Sequence, residues 1–190
     1  KFSPKKLYDF IKMKAVLVSG TTINFKTDKE LLVDNTPSYE RFHFKNGIAD
    51  YLNIKNKNNT KLFDKQFSIV KSFHESEKCE IFVSFNQNEK NSFISFCNTI
   101  ETPDGGSHEN AFKNGILKAI KIYGQKNQVS KISNININDL VDYSDIVISI
   151  FINEPSFEGQ TKKRIIMPKL QKELETIIQN EFLLWLNSNK

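Results

Sequence analysis

The residues from Asp145 to Ile152 form an almost continuously apolar run, and no other stretch limits the possible folds as strongly. A strand with apolar side chains pointing to both sides belongs near the centre of a sheet, buried on both faces. Three further stretches supply sheet partners. Gln66 to Phe73, Cys79 to Phe85 and Ser92 to Cys97 alternate with period two and are separated by polar turns such as Asn86-Gln87-Asn88-Glu89. Strands so close in sequence most simply form an antiparallel meander. Phe67, Ile69, Ile81, Val83, Phe85, Phe93, Ile94 and Phe96 are the expected core. The 16 phenylalanines read as packing material for that core, not as a platform for stacking bases.

Helical signals surround the sheet. Ser3-Pro4 is an N-cap followed by proline at the first helical position, and Leu7, Phe10, Ile11, Ala15 and Val18 recur at helical spacing up to Gly20. Thr21 to Lys26 alternates like a strand, with Lys29 to Asp34 as its expected hairpin partner before the turn at Asn35-Thr36-Pro37. Tyr39 to Lys45 is a second alternating strand, with Phe42 and Phe44 on one face and Arg41 and His43 on the other. Gly47 to Ile54 reads as a short helix, and Lys55 to Lys65 as a polar, basic surface loop. Thr102 to Glu109 is a tight turn into a helix, with Ser107 as the expected N-cap. Phe112, Gly115, Ile116, Ala119, Ile120 and Tyr123 mark its buried stripe, and Gly124 its expected end. Ile137 to Tyr143 reads as a short helix. A long amphipathic helix from Pro168 to about Asn187 buries Leu170, Leu174, Ile177, Ile178, Phe182, Trp185 and Leu186.

A chain of 190 residues suffices for one good-sized domain, and no internal boundary or repeat stands out, so residues 1–190 read as a single domain. It begins at Lys1 without a methionine, as expected of a piece of a longer protein. Lys and Arg number 27 against 22 Asp and Glu, a net charge of +5 that leans toward anionic partners. Cys79 and Cys97 lie in strand-like runs and read as reduced core residues of a cytoplasmic protein. No run of about twenty apolar residues occurs, so no membrane span is expected. No basic-then-apolar leader is present, so export is not expected.

The chemistry is sparse. His43, His74 and His108 have no ligand spacing, and no nucleophile–base arrangement stands out. His108-Glu109 at a helix start reads as exposed. Gly105-Gly106 at the same place could present backbone N–H groups to a phosphate, but it lacks the spacing and the lysine of a P-loop. The stretch Glu158-Gly159-Gln160-Thr161-Lys162-Lys163-Arg164 follows the buried strand. It reads either as a solvated basic turn or as a loop that reaches an anion, with lysine supplying a point charge and glutamine a neutral donor.

Several stretches together resemble one family. Cys97-Asn98-Thr99-Ile100-Glu101-Thr102-Pro103-Asp104-Gly105-Gly106-Ser107-His108-Glu109 is similar to the threonine-proline-x-glycine-glycine-threonine-histidine signature of bacterial type IIA DNA topoisomerases. That signature lies in the transducer domain of their ATPase subunit, the B subunit of topoisomerase IV or of gyrase. Phe157-Glu158-Gly159-Gln160-Thr161-Lys162 resembles the same domain's Gln-Thr-Lys loop. Phe2 to Leu7 and Phe44 to Leu52 also fit. Ser107 stands where the family has threonine, and Met167 where it has a polar cap.

The resemblance implies an α+β fold, a two-layer α/β sandwich like the second domain of a small-subunit ribosomal protein. Its mixed four-stranded sheet would carry a left-handed βαβ crossover, against the usual right-handed rule. It implies that 1–190 is the transducer domain alone, without the N-terminal ATPase domain and the C-terminal TOPRIM domain. Gln160 and Lys162 would contact the γ-phosphate of ATP held by the ATPase domain of the same subunit, with Thr161 between them and the Mg²⁺ ligands outside this chain. The isolated chain would not hydrolyse ATP. The implied partners are duplex DNA bound without sequence preference, a second copy of the same polypeptide in an ATP-gated dimer, and the separate DNA-cleaving subunit. A non-specific nucleic-acid-binding module and a small-molecule kinase of related fold remain the alternatives.

Overall fold

The structure is a computed structural model that describes residues 3–74, 76–87 and 92–189, without the side chains of Lys131 and Ser133. Asn88 and Glu89 of the expected turn, and Phe2 of the opening stretch, lie outside the described residues. The chain forms two compact units, Lys1–Asn58 and Asn59–Lys190, which divide within the Asn/Lys-rich stretch.

In the first unit, helix α1 (Pro4–Leu17) starts as its residues dictate. The Ser3 hydroxyl accepts the Lys6 N–H at 3.4 Å, and Pro4 occupies the first turn. Strands β1 (Thr22–Lys26) and β2 (Tyr39–His43) pair antiparallel, followed by helix α2 (Ile48–Lys55). The expected hairpin partner of β1, Lys29 to Asp34, is not a strand. Lys29–Leu31 makes a single 3₁₀ turn, and Asp34 Oδ1 accepts the Thr36 N–H at 2.8 Å, closing a side-chain turn that competes with any ladder. Phe25 and Phe42 are buried, and Tyr8 meets both edge-on at 5.3 and 5.1 Å. Phe44 is buried while Arg41 and His43 are exposed, as the alternation predicts.

In the second unit, strands β3 (Phe67–His74), β4 (Glu77–Phe85), β5 (Ser92–Cys97), β6 (Ile100–Glu101) and β7 (Ser144–Phe151) form one sheet in the order β3-β4-β7-β5-β6. The meander expectation holds for β3 and β4 and fails for β5. The apolar strand β7 lies between them, antiparallel to β4 and parallel to β5. Being flanked on both edges and covered on both faces, it is the most buried strand, with only Phe151 partly exposed. The sheet thus has four long strands, as expected, plus the two-residue β6.

Helix α3 (Ser107–Lys126), the short helix α4 (Ile137–Val141) and helix α5 (Pro168–Ser188) complete the unit. Phe112, Ile116, Leu174, Ile178 and Phe182 from α3 and α5 share one core cluster with Ile81, Val83, Ile146 and Ile148 from the sheet. At Gly115 the two helices come so close that an added Cβ would lie 2.9 Å from the Glu175 carbonyl oxygen and 3.0 Å from Ile178 Cβ. Gly124 does not end α3, as expected, but sits inside it against Ile132. Helix α4 begins with a capping box in which Asn136 and Asp139 satisfy each other's backbone N–H groups. Of the expected core residues, Phe93 and Ile94 are only partly buried; the other six are buried. The fold is mixed α+β, as the sequence predicts. Among the described residues no helix is long and apolar enough to cross a membrane, and no group of His, Cys, Asp and Glu could hold a metal ion.

Candidate functional site

Strand β7 leads directly into the loop with the candidate residues. Its exit is held by Asn98, whose side-chain amide accepts the Ile152 N–H and donates to the Ile152 carbonyl, both at 2.9 Å. Beyond Pro155 the chain forms a narrow hairpin. Ile166 N–H donates to Ser156 O at 3.0 Å and Glu158 N–H to Arg164 O at 2.9 Å, while Phe157 bridges Ile165. Gly159 to Lys162 form the tip.

Gln160, Thr161, Lys162, Lys163 and Arg164 are all exposed. Lys162 has φ of +54°, a left-handed conformation that costs a non-glycine residue on the order of 1 kcal/mol. Its Nζ lies 5.8 Å from the centre of the Phe157 ring, a weak cation–π contact that leaves the ammonium group reachable from solvent. Arg164 pairs with Glu158 at 3.4 Å across the hairpin. An open cleft of about 440 Å³ lies between the hairpin and the starts of α3 and α5, with Gly106, Asn110, Arg164 and Gln171 in its wall.

The returning limb of the hairpin is bolted to the turn before α3. Asp104 N–H donates to Lys163 O at 3.1 Å, Ile165 N–H to Gly105 O at 3.1 Å and Ser107 N–H to Ile165 O at 3.0 Å. Gly106, at φ +127°, lies against Ile165 so closely that a Cβ would stand 2.2 Å from the Ile165 carbonyl oxygen. Gly106 therefore serves a backbone-to-backbone contact, while Gly105, at φ +67°, lies against the Glu109 carboxylate. Gly105 N–H donates to Thr102 O and Ser107 N–H to Ile165 O, so two amides of the would-be phosphate cradle are already engaged. Ser107 is the first helical residue, not the expected N-cap; Gly106 takes that position. The Ser107 hydroxyl instead accepts the Met167 N–H at 2.8 Å, the orphan donor at the start of α5 where the family's polar cap is missing.

Under this turn lies a polar cluster that the sequence did not reveal. His108 has no exposed surface, against the expectation of an exposed residue. Its Nε2 is 3.0 Å from Thr102 Oγ1, which is 2.7 Å from Ser95 Oγ, which in turn donates to Glu109 Oε1 at 2.7 Å. With the serine proton on the carboxylate, Thr102 O–H donates to Ser95, whose Oγ and carbonyl oxygen lie 2.7 and 3.0 Å away, and His108 Nε2–H donates to Thr102. Nδ1 then carries no proton, and it has no partner. Burial pushes the His108 pKa down to about 4, so the ring is neutral near pH 7. Cys79 and Cys97 are buried free thiols whose pKa burial raises to about 11, which makes them inert.

The DNA gyrase B family model matches residues 47–190. The chain belongs to the DNA gyrase B family. The B subunit of DNA topoisomerase 4 from Rickettsia felis is 37% identical over the whole of this chain, which spans 29% of the length of that relative. Among solved structures, the topoisomerase IV ATP-binding domain of Francisella tularensis, in complex with a small-molecule inhibitor, is 28% identical with a TM-score of 0.77, covering 100% of this chain and 49% of that one. The B subunit of DNA gyrase from Myxococcus xanthus shares the fold at a TM-score of 0.85, with 14% identity over 99% of this chain and 58% of that one. In this gyrase B family member, the two signature stretches of the second unit meet in space: the Thr102–His108 turn holds the base of the Gln160–Lys162 hairpin.

Proposed function

We propose that this chain is the transducer part of the ATPase subunit of a cytoplasmic, ATP-dependent type IIA DNA topoisomerase. In this reading it passes the state of a nucleotide site in the adjoining ATPase domain on to the movement of a DNA gate. The observation that carries it is the exposed Gln160–Lys162 tip, raised on a backbone-paired stem whose base is clamped to the start of α3. A solvated basic turn has no need of such a stem.

Gln160 offers a neutral donor and Lys162 a mobile positive charge, a donor set suited to a terminal phosphate. Bound ATP would supply that phosphate, with Mg²⁺ held by residues outside this chain. Lys162 would leave the Phe157 ring and pair with the phosphate. An ammonium group aimed there stabilises the charge that shifts during phosphoryl transfer. Once that charge departs, Lys162 loses its partner, and the hairpin releases its hold on the ATPase domain. Long helix α5 and strand β7, joined through the hairpin, would carry the displacement onward. The partners this reading implies are duplex DNA, the separate DNA-cleaving subunit, and a second copy of the same polypeptide. The DNA contacts would be to phosphates and would not read sequence.

The test is Lys162→Ala in the complete subunit. ATP turnover should fall steeply while ADP affinity stays near that of the wild type. Turnover close to normal would remove Lys162 from the mechanism.

A further inference from the structure

None of Ser95, Thr102, His108 and Glu109 lines the cleft beside the hairpin, yet their four polar side chains converge under one turn. Buried polar groups are costly unless they are hydrogen-bonded, and a chain of such bonds rigidifies what it holds; here each link from His108 Nε2 through Thr102 and Ser95 to Glu109 is made, while His108 Nδ1 lacks a partner. What this one holds is the segment from Thr102 to Ser107. Thr102 is tied on three sides: its N–H donates to Ser95 O at 2.9 Å, its hydroxyl meets Ser95 and His108, and its carbonyl accepts from Gly105 at 2.8 Å. The next residues, Asp104 to Ser107, make the three backbone bonds to Lys163 and Ile165 that fix the hairpin's returning limb, which begins right after Lys162.

We propose that Thr102, Ser95 and His108 are positioning residues for the nucleotide-contacting tip: the buried cluster sets the Gly105-Gly106 turn, and the turn sets where Lys162 can reach. The inference rests on the proposed role of Lys162. It adds that the reach is determined from within the core, at residues that never meet the nucleotide. Two features argue against a merely space-filling cluster. Isosteric apolar residues would fill the same volume without burying the polar side chains of Ser95, Thr102 and His108. In addition, Gly106 leaves no slack, since its backbone already touches Ile165.

The test is a double-mutant cycle in the complete subunit with Thr102→Val and Lys162→Ala. Thr102→Val keeps shape but removes the hydroxyl that links Ser95 to His108. Alone, it should lower kcat/KM for ATP roughly tenfold, because small displacements of a charged group are expensive in transition-state contact. Thr102→Ser, which restores the hydroxyl, should recover most of it. In the Lys162→Ala background, Thr102→Val should cost less than about twofold more, because the contact it aligns is already gone. Amide hydrogen exchange at Ile165 and Ser107 should quicken in Thr102→Val and not in Lys162→Ala. If Thr102→Val fails to fold, Ser95→Ala, which cuts the same chain at its link to Glu109, takes its place in the cycle. Undiminished turnover in the folded variant overturns the proposal, as does a loss that multiplies fully with that of Lys162→Ala. A normal rate for Lys162→Ala alone is a different result: it overturns the nucleotide role of the tip, and with it the purpose of the cluster.

Discussion

Between pH 7.5 and pH 5, acid should weaken the second unit through His108. Its ring is fully buried, its Nε2 is occupied by Thr102, and its Nδ1 faces no acceptor. Protonating Nδ1 would place a cationic donor without a partner inside the core. The folded pKa therefore falls to about 4, from an ordinary value of 6.5. The unfolded chain takes up the proton first, so stability is fully present above pH 6.5 and is lost as the pH falls toward 4. Worked through the linkage relation, the loss between pH 7.5 and pH 5 is about 2 kcal/mol, rising to about 3 kcal/mol below pH 4. The assay is urea unfolding followed by the fluorescence of Trp185, the chain's one tryptophan, at pH 7.5, 6.5, 5.5 and 5.0. The comparison is His108→Gln, which keeps an N–H donor for Thr102 but does not titrate. Carboxylates titrate in both proteins and cancel in the difference. The wild type should lose about 2 kcal/mol more than the variant across this range. Parallel pH profiles would refute the reasoning, because they would mean that the ring is solvated or that Nδ1 finds an acceptor.

Further outcomes are expected from the packing. Gly115→Ala should destabilise the second unit by about 1–3 kcal/mol despite the better helix propensity of alanine, since its methyl would meet the Glu175 carbonyl at 2.9 Å; a rise in the urea midpoint would show that α3 and α5 separate freely. Phe182→Ala, at a buried position stacked on Trp185 at 5.4 Å, should cost about 3–5 kcal/mol in the same measurement, and a loss under about 1 kcal/mol would mean that the core closes over the gap. Asn136→Ala should remove one half of the α4 capping box and cost about 1 kcal/mol, read as faster amide exchange at Asn138 and Asp139; unchanged exchange there would show that α4 is held by its neighbours alone.

The sequence discloses which segments are strands and helices better than how they are arranged. Alternation in Cys79 to Phe85 reports one buried face, and it would look the same whether β5 or β7 were the neighbour. Only the continuous apolar run of β7 hints that it has strands on both edges, and nothing local says which ones. Leu31, Leu32 and Val33 mislead in the opposite sense: they look like a strand, yet Val33 is 94% exposed, because Asp34 diverts the backbone into a turn. At the candidate site, Gln160, Thr161 and Lys162 are legible as an exposed polar tip. His108 is not, because its burial depends on a hydroxyl six residues upstream and on Ser95 in a strand, contacts that carry no periodicity. Ser107 has the side chain of a helix start and still misleads, since its hydroxyl serves α5 and not α3.

The position of β7 also bears on how the protein is made. During synthesis β4 and β5 leave the ribosome long before Ser144 does, and until then each lacks its partner on the edge that β7 will fill. Long-range pairing of this kind is slow to form and leaves strand edges bare in the meantime. The nascent chain therefore passes through an interval in which the middle of its sheet is missing, and chaperone dependence of this region should be concentrated in that interval.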